Sequence, residues 1–230
     1  MKRITLVPLL FLFLIQPFKL HAQEFFVNAD LVSSFIWRGL KCGDICLQPS
    51  MGVNIGKFSF MAWGSTDLKT YDTHADLFLS YQHKGFKIQV ADYFVQPSDE
   101  TFNYFHLKAR TTNHMTEAIV SYKLSEKLPL TLLWSSFFAG SDYNNADGGR
   151  SYSSYLQASY PFSTLGFDFN AEIGMTPWEG MYSDGLNVVN IGLSMAKKIK
   201  ITEKFSLPVS CKLVVNPSSE QTYVVFGLSL

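Results

Sequence analysis

Charged residues are scarce in this sequence. Only 17% of its 230 residues are Asp, Glu, Lys or Arg, whereas about 25% is usual in soluble domains. The 19 basic residues are balanced by 19 acidic ones, so the sequence lacks the positive excess that marks a nucleic-acid-binding surface. Nucleic acid is therefore not an expected partner.

Beyond its first 22 residues the sequence lacks any apolar run long enough for a transmembrane helix. The N-terminus itself combines a basic start, Met1-Lys2-Arg3, with a short apolar run from Leu6 to Ile15. Such a run is too short to span a bilayer and is typical of a secretory signal peptide, and Ala22 supplies the small residue expected before the cleavage site. We therefore predict a signal peptide over residues 1–22 and one exported domain over residues 23–230.

Cysteine is also rare, with three residues in the chain. Cys42 and Cys46 are separated by three residues, and an oxidising compartment would allow a disulfide between them if the turn brings their Cα atoms within about 7 Å. No histidine lies within ten residues of either thiol, which argues against a metal site. We predict a Cys42–Cys46 disulfide, no metal, no cofactor, and an apolar strand position for Cys211.

Aromatic residues, in contrast, make up 15% of the chain, and apolar and polar residues alternate with a period of two, as in half-buried strands. Between positions 74 and 82, Leu77 and Leu79 share one face, and Asp76 and Ser80 share the other. The pattern recurs in twelve segments, which we predict as strands at 26–38, 46–55, 57–66, 73–82, 85–95, 113–124, 128–139, 150–161, 165–175, 186–198, 204–214 and 220–230.

The connections between these segments alternate in length. Those after even-numbered strands are short, and those after odd-numbered strands are mostly longer and more polar, up to the loop 96–112. Lipid offers no hydrogen-bond partner, so strands cross a membrane only as a closed barrel. The pattern predicts an all-β, transmembrane antiparallel up-and-down barrel of about 12 strands in the cell outer membrane, with short periplasmic turns and longer extracellular loops. Its expected partners are outer-membrane lipid and the barrel assembly machinery.

Polar residues on the second face of the strands are expected to line the lumen. Arg38 is the most distinctive, because at the extracellular end of the first strand it could pair with Asp30, Asp44 or a loop carboxylate and narrow the pore mouth. Structural anchoring of the first loop is the favoured role for Arg38, and a direct role in solute selection is the alternative. Asp92 falls on the apolar face, which indicates the rim, a bulge or a misplaced strand. The candidate pore-lining and mouth residues are Arg38, Asp30, His74, Asp76, Glu117, Asp168, Glu172 and Lys212.

The segment Phe35-Ile36-Trp37-Arg38-Gly39-Leu40, followed by Gln48-Pro49-Ser50, resembles the TorF-type porin family of Gram-negative bacteria. In that family an aromatic-x-Trp-Arg-Gly motif ends the first strand, and a Gln or Pro opens the second. This chain departs from the pattern in the Cys42 to Cys46 insertion and in ending on Leu230 rather than Phe or Trp. The resemblance implies an outer-membrane location and a pore, and it carries no substrate with it.

Enzymatic function is not predicted. His74, Asp76 and Ser80 share one strand face, but residues two apart on a strand lie about 7 Å apart, too far for a hydrogen-bonded relay. The leading interpretation is a barrel that passes small solutes. The alternatives are a closed structural or partner-binding barrel, an outer-membrane lipid hydrolase or acyltransferase, and a soluble periplasmic barrel. Twelve strands lie between the filled eight-stranded and the open sixteen-stranded barrels, and the loop 96–112 is long enough to fold into the mouth.

Overall fold

The computed structural model describes residues 23–230, which form strands and loops and, within that range, no helix. The predicted signal peptide lies outside the described residues. A closed antiparallel barrel is built from twelve of the fourteen strands, as predicted. No helix in the described part is long and apolar enough to cross a bilayer. The strands are β1 (Gln23–Val32), β2 (Phe35–Trp37), β3 (Leu40–Gly43), β4 (Cys46–Ile55), β5 (Phe58–Asp67), β6 (Thr73–His83), β7 (Phe86–Gln96), β8 (His114–Lys123), β9 (Thr131–Gly140), β10 (Ser154–Thr164), β11 (Phe167–Thr176), β12 (Asn187–Lys200), β13 (Ser206–Asn216) and β14 (Gln221–Ser229).

The two ends of the barrel differ in the length of their connections. At one end, which we call the short-turn end, three of the connections are only two residues long, namely 56–57, 84–85 and 165–166. The opposite loop end carries the segments 97–113 and 141–153. Apart from the first strand, predicted and observed strand ends differ by at most four residues, the largest shift being from 150 to Ser154. The predicted asymmetry of the barrel is therefore confirmed.

The outer surface of the wall is apolar. Side chains of a strand alternate between the two faces of the sheet, and in each wall strand one face presents exposed aliphatic or aromatic residues. Near the short-turn end, outward aromatic rings pair across strands, as in Phe58 with Tyr81 and Phe162 with Phe169, both at 5.1 Å between centroids. The face assignment made from the sequence is confirmed by outward side chains such as Val27, Met51, Phe60, Leu79, Trp134, Leu193, Leu213 and Phe226.

The first predicted strand, 26–38, is wrong beyond Val32. There the chain bends at Ser33–Ser34 and leaves the wall, and β2 and β3 form a separate hairpin inside the lumen at the loop end. We call residues 35–43 the lumen hairpin. Its tip is a two-residue turn in which Arg38 has a φ of 51° and Gly39 a φ of 80°, the conformation of a type I′ hairpin turn.

Because the chain leaves the wall at this point, the seam between β1 and β14 is short. Among the described residues, Asp30, Leu31 and Val32 pair in register with β14. Backbone hydrogen bonds of 2.9 Å, from Ser33 to the Phe226 carbonyl and from Leu230 to the Ala29 carbonyl, extend the seam slightly at its two ends. No described strand pairs with residues 221–225 on this side. At this seam, residues 23–28 of β1 and residues 221–225 of β14 therefore have no in-register partner in the opposite strand.

The longest loop, 97–113, lies over the outside of the wall and does not fold into the mouth as the sequence suggested. Phe94 faces outward and is buried beneath this loop, in edge contact with Tyr104 at 4.9 Å between ring centroids. Asp92 also faces outward and bonds the Nδ1 atom of His114 at 2.8 Å, while His114 Nε2 bonds the Tyr104 carbonyl at 2.6 Å. The strand containing Asp92 was therefore placed correctly, and its carboxylate is satisfied near the rim.

Candidate functional site in the lumen

The tip of the lumen hairpin is anchored to the opposite wall by a buried ion pair. The two terminal guanidinium nitrogens of Arg38, Nη1 and Nη2, donate hydrogen bonds to the carboxylate of Glu117 on β8. The Nη2–Oε2 distance is 3.0 Å. Glu117 is completely buried, and the Arg38 side chain is only 10% exposed. Planar guanidinium and carboxylate groups match in this two-bond geometry, which makes the pair both strong and directional. The sequence had suggested Asp30, Asp44 or a loop carboxylate as the partner of Arg38, and this was wrong.

Aromatic side chains surround the ion pair. Tyr93 donates its hydroxyl hydrogen to Glu117 Oε2 at 2.8 Å, and the Tyr182 hydroxyl accepts a hydrogen bond from Arg38. The Arg38 guanidinium carbon lies 4.4 Å from the centroid of the Trp37 ring and 4.8 Å from that of Tyr155. A desolvated guanidinium over an aromatic face gains further electrostatic stabilisation. Trp37 is thus part of the lumen packing.

Gly39 lets the hairpin approach the wall closely. A Cβ atom at this position would lie 1.8 Å from the carbonyl oxygen of Val189 on β12. On the same side, the Asn216 side-chain amide donates to the Gly39 carbonyl at 3.2 Å. Each residue of the Trp-Arg-Gly motif therefore has a structural role. Trp37 packs against the Arg38 guanidinium, Arg38 forms the ion pair with Glu117, and Gly39 allows close contact with β12.

We expect Gly39→Ala to lower the free energy of unfolding by more than the roughly 1–2 kcal/mol that an L-residue costs in the left-handed region, because its Cβ also overlaps Val189. Gly148→Ala is the matched control, since Gly148 has a φ of 70° and a Cβ added there would meet no atom within 4 Å. Urea unfolding of both variants in detergent micelles measures the difference. Equal losses in the two variants would contradict the close approach of the hairpin to β12.

Beside the hairpin the lumen contains a cavity of about 490 Å³. The hairpin contacts β12 and β13 through Gly39, so this free space lies on the other side, against β5 to β8. Most lining groups are aromatic rings or methionine side chains. The cavity is lined by Phe35, Trp37, Leu40, Cys42, Met61, Trp63, His74, Asp76, Phe78, Tyr93, Val95, Met115 and Met181.

His74 and Asp76, two of the predicted lumen residues, line this cavity. The His74 ring contacts Phe35 edge-on at 5.3 Å between centroids. Asp76 is 4% exposed and accepts a hydrogen bond from the backbone N–H of Phe94 at 3.3 Å through Oδ1. Ser80 bonds Gln89 instead of either residue. Among the described residues, His74, Asp76 and Ser80 form no hydrogen-bonded relay.

The remaining predicted lumen residues lie in separate places. Glu172 and Lys212 form an ion pair at 2.7 Å on the wall of β11 and β13. Asp30 bonds the Ser229 hydroxyl at the seam. Asp168 is exposed near the short-turn end, where it bonds Ser163 at 2.7 Å. These residues therefore do not form a single site with Arg38 and Glu117.

Asp44, which follows the lumen hairpin at the loop end, forms ion pairs with two lysines. It accepts hydrogen bonds from Lys41 and from Lys69, the second at 2.8 Å. These two ammonium groups lower the pKa of the Asp44 carboxyl to about 2. Its charge is therefore retained at neutral pH and is shared with lysines rather than with Arg38.

The three cysteines are all free in the described part of the chain. The predicted disulfide between Cys42 and Cys46 is therefore not formed in this structure. Cys42 lines the lumen cavity, whereas the Cys46 sulfur packs against the backbone of Gly43, only 2.7 Å from where a Cβ at that glycine would lie. The two thiols thus have different neighbours. Cys211 lies on the apolar outer side of β13, in register with Phe226, as predicted.

Several residues of the site were missed by the sequence reasoning, because it assigned the lumen face from polarity alone. Trp63, Phe78 and Tyr93 occupy inward positions on β5, β6 and β7 and line the cavity. The sequence did contain a signal for them, namely large aromatic side chains on the otherwise polar face of the strands. Large apolar side chains on the lumen face indicate that this face packs against protein as well as water. In the structure that partner is the lumen hairpin.

Comparisons with known proteins show a similarity of fold. No protein-family model matches the chain, and no curated protein matches it. The solved structure of KdgM porin is similar, with a TM-score of 0.51 and 10% sequence identity over 88% of this chain and 96% of that chain. An outer membrane channel from Pseudomonas putida F1 also matches, with a TM-score of 0.42 and 12% identity over 94% of this chain and 98% of that chain. At 10% identity, the likeness to KdgM porin is a likeness of fold.

Proposed function

We propose that this protein is an outer-membrane channel that passes small solutes through a lumen narrowed by its own first connection. Three features support the membrane location: wall strands of about ten residues, an apolar outer surface, and aromatic residues near the short-turn end, all typical of outer-membrane barrels. The barrel fold shared with KdgM porin is consistent with it. The signal peptide, insertion by the barrel assembly machinery and the TorF-type resemblance belong to the same proposal.

The observation that carries the proposal is the lumen hairpin. It is held in the barrel by side-chain contacts at its tip, above all by the Arg38–Glu117 pair, and it belongs to a separate two-stranded sheet. It fills one side of the lumen and leaves the cavity of about 490 Å³ on the other. Towards the short-turn end, inward side chains such as Asn54, Ser59 and Gln82 are polar, which suits a hydrated passage.

A closed barrel that binds a partner is the second candidate. The buried ion pair favours it, because a plug held by a desolvated charge pair resists displacement. A lipid hydrolase or acyltransferase has less support, since His74, Asp76 and Ser80 are not joined as a catalytic relay requires. We therefore propose a protein without enzymatic activity.

Single-channel recording in a planar bilayer tests the proposal. We expect the purified barrel to show small, defined conductance steps, and the protein to fractionate with the outer membrane. Heat-modifiable migration on gels provides the control that the reconstituted sample is a folded barrel. Folded protein that conducts neither by itself nor after removal of the lumen hairpin would favour the closed barrel, and recovery in the soluble periplasm would contradict the membrane location.

A further inference from the structure

The lumen cavity has an unusual lining for a solute channel. Five of its thirteen lining residues are Phe, Trp or Tyr, and three more are methionines. Aromatic faces carry negative electrostatic potential and attract cations, and quaternary ammonium groups are bound in proteins by cages of this kind. The five rings belong to Phe35, Trp37, Trp63, Phe78 and Tyr93.

One carboxylate faces this aromatic cavity without a cationic partner. Asp76 is 4% exposed, and within residues 23–230 it forms no ion pair. Its only hydrogen bond in that range goes from the Phe94 N–H to Oδ1, so Oδ2 has no protein donor. A buried carboxylate without a partner is stabilised either by taking up a proton or by an approaching cation, and the cavity is the side from which a cation can reach Asp76.

Among residues 23–230, no lysine or arginine lines the cavity. The two positive charges of the lumen hairpin are compensated, that of Arg38 by Glu117 through two hydrogen bonds and that of Lys41 by Asp44. The Arg38 guanidinium carbon lies 4.4 Å from the centroid of the Trp37 ring, which is one of the rings that line the cavity. The electrostatic character of the cavity is thus set by Asp76, the His74 imidazole and the aromatic faces.

We infer that the cavity binds a small organic cation with an apolar body, such as a quaternary ammonium compound. The positive group would lie against Asp76, and the apolar part would pack against the rings and methionines. A volume of about 490 Å³ is within the range of small-molecule sites. The inference rests on the proposed function in one respect, since it names the class of solute that the channel would pass. The binding itself can be measured without any conduction.

Binding is measured on the detergent-solubilised barrel by isothermal titration calorimetry with three probes. Choline and 3,3-dimethylbutan-1-ol have the same shape and differ in the charge of the central atom, and benzyltrimethylammonium adds an apolar ring to the cation. We expect choline to bind about tenfold more tightly than the neutral alcohol, as a charge-assisted contact predicts. Benzyltrimethylammonium should bind more tightly than choline because it fills more of the apolar wall.

The Asp76→Asn variant tests the role of the carboxylate. Asparagine keeps an oxygen for the Phe94 N–H and removes the charge, so the affinity for both cations should fall about tenfold, while binding of the alcohol stays unchanged. Asp168→Asn is the matched control, because it removes one carboxylate at an exposed position near the short-turn end. Heat-modifiable migration verifies that both variants are folded.

Two results would overturn the inference. One is equal binding of choline and the neutral alcohol by the wild-type barrel, which does not depend on the folding of any variant. The other is unchanged cation affinity in folded Asp76→Asn. Cation binding by a barrel that never conducts would contradict the proposed channel and leave the site intact, whereas conduction without cation binding would contradict the site alone.

Discussion

The Arg38→Leu variant is expected to lose about 3–5 kcal/mol of unfolding free energy, the cost of leaving a buried charge without its partner. The remaining charge is that of Glu117, which is completely buried. Tyr93 would still donate a hydrogen bond to it, but a hydroxyl does not neutralise a carboxylate. Urea unfolding in detergent micelles, followed by tryptophan fluorescence, measures the loss.

A double-mutant cycle separates the ion pair from general packing. Glu117→Leu should also be strongly destabilising, whereas Arg38→Leu combined with Glu117→Leu should recover most of the loss, because apolar groups of similar volume often replace a buried pair at little cost. Lys200→Leu is the exposed control, since it removes a surface pair with Glu203 that is worth at most about 1 kcal/mol. If the double variant is as unstable as the sum of the single ones, the two side chains do not act as a pair.

Replacement of the lumen hairpin, residues 35–43, by a short Gly-Ser linker is expected to raise single-channel conductance several-fold. The linker is sterically feasible because Val32 and Cys46, on either side of the insertion, are direct partners in the β1–β4 ladder. Removing the hairpin deletes Arg38 and Trp37 from the lumen and joins the cavity to the space now filled by the hairpin. Planar-bilayer recording of the variant and the wild type makes the comparison.

Shortening the loop 97–113 is the matched control for the hairpin experiment. This loop is the longest connection of the barrel and lies outside the wall, where it covers Phe94 and His114. Its removal should leave conductance unchanged. A large increase on loop shortening, or none on hairpin replacement, would show that the constriction lies elsewhere than at the lumen hairpin.

The wall of the barrel could be predicted from the sequence because each strand has one face in an apolar and one in a polar environment. The strand 46–55 was predicted to the residue. The lumen hairpin could not be predicted in the same way. Leu31, in the wall, and Phe35 and Trp37, in the hairpin, are all apolar residues at odd-numbered positions. The period-two alternation in the sequence therefore continues through the bend at Ser33–Ser34, although the chain leaves the wall there.

The partner of Arg38 was beyond sequence reasoning for a different reason. Register relates residues on adjacent strands, and Glu117 lies 79 residues from Arg38 on a strand that never pairs with the hairpin. Only the insertion of the hairpin across the lumen brings the two together. Glu117 itself was correctly expected on the lumen face, so its orientation was predictable while its role as an anchor was not.

The short seam between β1 and β14 decides where the barrel comes apart. Every other pair of neighbouring wall strands has at least six residue pairs in register, whereas β1 and β14 have three, flanked by backbone hydrogen bonds at Ala29 and Ser33. Separating two strands requires the loss of their shared backbone bonds, so this is the joint with the fewest to lose. Opening of this joint would therefore turn the ring into an open, curved sheet whose two free edges are its first and last strands.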